Sequence, residues 1–208
     1  MPRTPRHAQH VFARPGPAAV TYDLSVRDEA TITVPRGSAW TSGPHWHAAH
    51  AEFLRVLAGR AEVVLGDSVL TDVGPGDGVV RVPRGVVHEW RRSRSIPGEG
   101  SGEEEEEDLV VREWTDPRDG AKEAFFRNLN GLILDAAAAG PRSWEARTLG
   151  LELAAVFWRL DNWPIVLGEA WSWPGWVHAV ATRAVLGAQV ALGWLVGCRG
   201  VYEEYGRG

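Results

Sequence analysis

The sequence predicts a mainly β fold, a small antiparallel β-barrel or jelly roll, followed by a helical C-terminal extension. Short runs rich in Val, Ile and Thr, punctuated by Gly and Pro, fill the first part of the chain. Such runs are the pattern of brief strands joined by tight turns. Near Asp119 the strand signals fade, and apolar residues then recur at helical spacing. With 208 residues, 44% of them apolar, the chain can bury a substantial core. A formal charge of -5 argues against both a disordered chain and a generally basic nucleic-acid binder, so no nucleic-acid partner is expected.

The first 22 residues carry arginines but no acid and no uninterrupted apolar stretch of signal-peptide type. They are expected to form a flexible, solvated tail, with an organelle-targeting peptide as the alternative. The barrel domain is placed at residues 23–118. Its strands are read from "ATITVP", "EFLRVLAGRAEVVLGD", "GVVRVPRGVVHEW" and "DLVVREW". In the second of these, Phe53, Arg55 and Leu57 alternate with Leu54, Val56 and Ala58 before Gly59 and Arg60 turn the chain. "GPGD" at 74–77 is a further turn. An acidic loop at 93–108 interrupts the last two strands. Six consecutive acids, Glu103 to Asp108, repel one another and bury nothing, which makes the loop a solvated excursion.

Residues 119–208 form the helical, tryptophan-rich extension. The run ending at Gly140 suits an interrupted helix with a glycine stop. A second helix follows Ser143, a possible N-cap, and a third opens near Pro174 and closes around Gly197 to Gly200. The third helix contains fifteen uncharged residues, Ala184 to Cys198, preceded by Arg183 and His178. A bilayer span normally needs about twenty apolar residues, so this run falls short. It is expected to pack or dimerise, with peripheral membrane contact as the alternative. A cytoplasmic location is expected, and membrane association is the alternative to it. The chain has eleven tryptophans, and those at 163, 171, 173, 176 and 194 lie in or beside the extension. They exceed what one small barrel needs to cover itself, which predicts a homodimer. The lone Cys198 rules out an intrachain disulfide and is expected to be buried.

The chemistry concentrates in "PHWHAAHAE", residues 44–52. His45 and His47, one residue apart, leave the same face of a strand and can approach one ion. Glu52 heads the next strand and offers a carboxylate. "PRGVVHEW", residues 83–90, supplies His88 after a turn shaped by Pro83 and Gly85. Three imidazoles and a carboxylate suit one divalent transition metal ion, with Fe, Mn, Ni, Co and Zn not distinguished, and leave positions open for a small-molecule substrate. Glu52 can also pair with Arg55 or Arg60. His50 either points into the pocket as a proton carrier or faces solvent. Arg81 either clamps an anionic substrate or faces solvent. Trp46 is expected to face away from the ion, and Trp90 to share the side of His88.

These two stretches resemble the cupin superfamily. The first family motif runs from a glycine through HxH, three or four residues, Glu, six residues and Gly. His45, His47, Glu52 and Gly59 match it, although Ala39 stands where the leading glycine belongs. The second motif is met by "PRGVVH", with Gly76 and Gly78 each one place off and Arg92 in place of asparagine. The resemblance covers roughly residues 30 to 115. It implies a small barrel in which His45, His47, Glu52 and His88 are metal ligands. It also implies an enzyme of oxygenase, decarboxylase, isomerase or lyase type acting on an oxygen-bearing molecule, with Glu52, His50 and Arg81 as candidate catalytic groups. A non-catalytic binding or scaffold protein is the alternative. "VVREWTDP" and "KEAFFRNLNG" look like small single-domain cupins, some of which sit beside natural-product pathways.

Overall fold

The computed structural model describes residues 3–93, 107–168 and 173–206. Most of the acidic loop, and Trp171, lie outside the described residues. Within them the strands are β1 (Val11–Arg14), β2 (Val20–Asp23), β3 (Glu29–Val34), β4 (His45–Trp46), β5 (Ala51–Ala58) and β6 (Ala61–Leu65), then β7 (Ser68–Val73), β8 (Val80–Val82), β9 (His88–Arg92) and β10 (Leu109–Asp116). Helices α1 (Ala121–Ala139) and α2 (Trp144–Arg159) follow, then a short β11 (Trp163–Pro164) and α3 (Gly175–Leu195).

Two antiparallel sheets result, one ordered β1-β2-β3-β10-β5-β8 and the other β11-β4-β9-β6-β7. Alternation decides which side chains they share. On β3, Ala30, Ile32 and Val34 are buried, and on β10, Leu109, Val111, Glu113 and Thr115. They join Ala61, Val63 and Trp90 of the other sheet around one core, which is the jelly-roll arrangement that the strand pattern predicts. Gly59 closes the β5–β6 turn at φ +69°, where a Cβ would lie 2.8 Å from the Asp108 carbonyl oxygen. Only glycine accepts both that φ and that approach without strain.

The segment expected to be a tail is instead a hairpin. Phe12 pairs with Tyr22 across β1 and β2, and Phe12, Val20 and Tyr22 are buried. Their two-residue alternation on either side of Pro15, Gly16 and Pro17 is a hairpin signal that the arginine-rich composition obscured. Before it, Arg3 ion-pairs with Glu152, and Arg6 with Asp135 at 2.8 Å.

The helices open and close where predicted. Ser143 Oγ accepts the Ala146 N–H at the start of α2, a cap worth about 1 kcal/mol. Pro174 and Gly140 flank α3 and α1 as N-cap and C-cap. Helix α1, however, is not interrupted. Gly131 within it makes room for the Tyr205 ring, since a Cβ would meet that ring at 2.5 Å. Phe125, Phe126 and Leu132 of α1 and Val156 of α2 enter the same core as the sheets. Leu186 of α3 packs with Trp46, Ala154 and Trp163 in a second cluster, while Trp176, Val180, Leu192, Trp194 and Leu195 remain exposed. Cys198 is free and buried. Among the described residues no helix is long and apolar enough to cross a membrane.

Candidate metal centre

The register of neighbouring strands assembles the site. His45 on β4 lies directly opposite His88 on β9, and Glu52 on β5 of the facing sheet lies beside Val82 and Thr115. His47 follows β4. All four are buried, and one ligand atom from each lies within 4.8 Å of the others. His50 does not belong to the cluster.

Each imidazole is oriented by a backbone carbonyl. Nδ1 of His45 donates to Gly43 O at 2.7 Å, that of His47 to Asp161 O at 2.6 Å, and that of His88 to Val86 O at 3.1 Å. A carbonyl only accepts, so Nδ1 carries the proton in each ring and Nε2 is left for the interior. Two of these Nε2 atoms face the Glu52 carboxylate, His47 at 3.0 Å from Oε2 and His88 at 3.1 Å from Oε1. Neutral rings in this tautomer would set lone pair against lone pair, so the arrangement requires positive charge between them. A second proton on each ring or one divalent cation supplies it. Burial pushes the His47 pKa down, although Glu52 opposes the shift. Burial, then His88 and His47, hold His45 well below the usual histidine range. The lowered pKa of His47 disfavours the extra proton on that ring, and the geometry leaves room for a cation in its place. Three oriented imidazoles and one carboxylate match the donor chemistry of a divalent transition metal site.

A second layer of charge comes from outside the strands. Lys122, at the start of α1, is buried and donates to Glu52 Oε2 at 2.5 Å while ion-pairing with Glu113 of β10. Burial would raise the Glu52 pKa, but the positive charge of Lys122 and the His88 imidazole outweigh it and keep it well below the carboxylate range. Glu113 is pushed up to about 7 by burial and by the charge of Glu52, against the pull of Lys122. Its Oε2 also accepts the Trp90 indole N–H at 3.2 Å. Trp90 therefore lies inside on the side of His88, as predicted, while Trp46 stacks on Trp163 at 5.5 Å between centroids.

Asp161, between α2 and β11, fastens the loop that follows the HxH stretch. Beyond its carbonyl bond to His47, its carboxylate accepts the N–H groups of Ala48 at 2.8 Å, Ala49 at 2.8 Å and His50 at 3.1 Å. The His50 ring is held at both ends, Nδ1 at 2.7 Å from Asp161 and Nε2 at 3.1 Å from Asp119. This places His50 in a clasp between two carboxylates, buried rather than facing solvent. Arg81 is exposed on β8 while its neighbour Val82 enters the core, so strand alternation removes it from the site. Lys122, Glu113 and Asp161 were not singled out from sequence. Lys122 carried one usable signal, a charge among the apolar residues of an amphipathic helix, next to Ala124 and Phe125.

A cavity of about 300 Å³ opens beside His45. Its lining comes from both sheets and the helices, including Tyr22, Trp40, Glu113, Lys122, Phe125 and Phe157. The arginine in it is Arg14, from the segment read as a tail.

Residues 30–99 match the family model described as Cupin domain. No curated protein matches the chain by sequence. Solved structures similar to it include the capsular polysaccharide assembling protein CapF from Staphylococcus aureus, at 18% identity and a TM-score of 0.37, over 53% of this chain and 32% of that one. KdgF from Halomonas sp. is similar over 57% of this chain and 97% of its own, at 18% identity and a TM-score of 0.37. The cupin domain of Cnp3 from Schizosaccharomyces pombe is similar at 17% identity and a TM-score of 0.34, over 50% and 68% of the two chains. The chain thus spans about a third of the length of CapF.

Proposed function

We propose that the strand domain of this chain, whose residues 30–99 match the Cupin domain model, belongs to the cupin superfamily and is a metal-dependent enzyme acting on a small oxygen-bearing organic molecule. His45, His47, Glu52 and His88 would hold one divalent transition metal ion. The observation that carries this reading is the fixed tautomer of all three imidazoles, each committed through Nδ1 to a carbonyl, with two of them, His47 and His88, facing the same buried carboxylate. A bound ion of this kind supplies Lewis acidity toward a carbonyl, enol or carboxylate oxygen.

The chain's own residues define the rest. Asp161 and the three carbonyls orient the rings. Lys122 holds Glu52 in place through one oxygen and balances the charge of Glu113. Phe125, Phe126 and Phe157 form an apolar wall of the cavity next to His45. Purified protein, never exposed to chelator, is expected to carry one equivalent of metal by elemental analysis. H45A and H88A are expected to lose it on dialysis, because the remaining ligands leave the ion under-coordinated. Retention of wild-type metal content by both variants would refute the assignment.

A further inference from the structure

We propose that the cavity beside His45 binds a compact aromatic acid, a ring carrying a carboxylate or phenolate oxygen. This rests on the metal reading above and adds to it the class of ligand. Four observations lead to it.

The first is size. A volume of about 300 Å³ sits at the lower end of small-molecule pockets, enough for one substituted ring and little more. The second is the wall. Trp40, Phe125, Phe126, Leu129, Phe157 and Ile165 line it, and such side chains stack on or pack edge-on to a flat ring. Thr41, Ser42 and Asn162 also line the cavity, but the apolar faces form no hydrogen bonds, so the sugar hydroxyls that meet them would be buried at a cost.

The third is charge. Lys122 and Glu113 also face the cavity but are committed to each other. A divalent ion at the four ligands, together with Arg14, would leave the lining net positive, and an anion with one oxygen toward His45 neutralises it. The fourth is an unmet donor. Arg14 donates through Nη2 to the Tyr22 hydroxyl at 2.7 Å, while its Nε is buried without a hydrogen-bond partner. A second oxygen on the ligand would satisfy it.

The test uses full-length protein loaded with Zn²⁺ and the same protein stripped of metal, titrated calorimetrically with salicylate, with glucuronate, a sugar acid of similar size, and with benzyl alcohol. Salicylate is expected to bind the loaded protein at least about tenfold more tightly than either comparison compound. Leu129→Trp fills the cavity from α1 without touching a metal ligand. It should abolish salicylate binding while leaving the zinc content unchanged, and Ile165→Trp, from the segment after β11, should do the same if the first variant folds poorly. Arg14→Met should weaken salicylate about tenfold. Glucuronate or benzyl alcohol binding as tightly as salicylate overturns the proposal, as does salicylate binding that survives both filling variants. The metal reading fails separately. If the four ligand residues take up no zinc while salicylate still binds and the filling variants still abolish it, the pocket assignment stands and the metal assignment falls.

Discussion

Replacing Lys122 by methionine isolates the charge that α1 contributes to the centre. Met keeps most of the buried aliphatic stem and removes only the ammonium group. In the wild type that group sits 2.5 Å from Glu52 and pairs with Glu113, all three being buried. Its removal leaves two carboxylates in a dry site with no cation between them. Breaking a buried pair by deleting one partner costs about 3–5 kcal/mol, and for a chain of this size each kcal/mol lowers Tm by about 2–4 °C. The metal-free K122M protein should therefore melt about 6–20 °C below metal-free wild type. Neutralising Glu113 as well removes the repulsion between the two carboxylates, so K122M/E113Q should regain part of the loss. A metal ion that takes over the charge of Glu52 should narrow the gap between K122M and wild type. Calorimetric melting of the three proteins, with and without zinc, gives all the comparisons in one series. A metal-free K122M within about 2 °C of wild type, or a double variant no more stable than the single one, would refute the reasoning.

Three further outcomes are expected. D161A removes the acceptor for the amides of Ala48, Ala49 and His50, so metal affinity, measured by competition with a chromophoric chelator, should fall about 10–100-fold, and an unchanged affinity would remove Asp161 from the site. Asp135 accepts from Thr4 N–H, Arg6 and Tyr205; burial raises its pKa, but these bonds outweigh burial and lower it. Its contribution is therefore present above the unfolded carboxylate pKa, near 4, and lost as pH falls through the lower folded value, so D135N should narrow the stability gap to wild type on acidification below about pH 4, and a gap that widens would contradict this. Helix α3 leaves Trp176 71% and Trp194 77% exposed along about 32 Å of helix, a surface of the kind that pairs with a second copy; light scattering should show a homodimer that W176E/W194E converts to monomer, whereas a wild-type monomer at micromolar concentration counts against it, and sedimentation with membranes persisting at high salt would favour an interfacial helix instead.

The legible parts of this chain are those whose physics is local. Ser143, Pro174 and Gly140 mark helix ends because a cap acts within one turn, and α1 ends, and α2 and α3 begin, there. His45, His47 and Glu52 could be read because strand periodicity and short links fix their relative directions over a few residues, whereas His88, 36 residues beyond Glu52, is joined to them by the spacing of the second motif that the chain shares with cupins. The β1–β2 hairpin obeyed the same local rule, and only its arginine-rich surroundings led to its being taken for a tail. What could not be read depends on contacts between distant segments. His50 meets Asp161 and Asp119 across 111 and 69 residues, and nothing in "HAAHAE" announces either partner. Lys122 reaches Glu52 across 70 residues.

This difference bears on what the extension does. The strand motif alone supplies four ligands, yet it supplies neither the cation that holds Glu52 nor the carbonyl and carboxylate of Asp161 that fix His47 and its loop. Those come from α1 and from the segment after α2, and Phe125, Phe126 and Phe157 of the same helices wall the cavity. The helices are therefore part of the centre as well as its cover. A barrel cut off before Asp119 would keep every ligand and lose the groups that hold two of them in place. Its metal affinity should then fall at least as far as that of D161A, because it loses the Asp161 contacts together with Lys122.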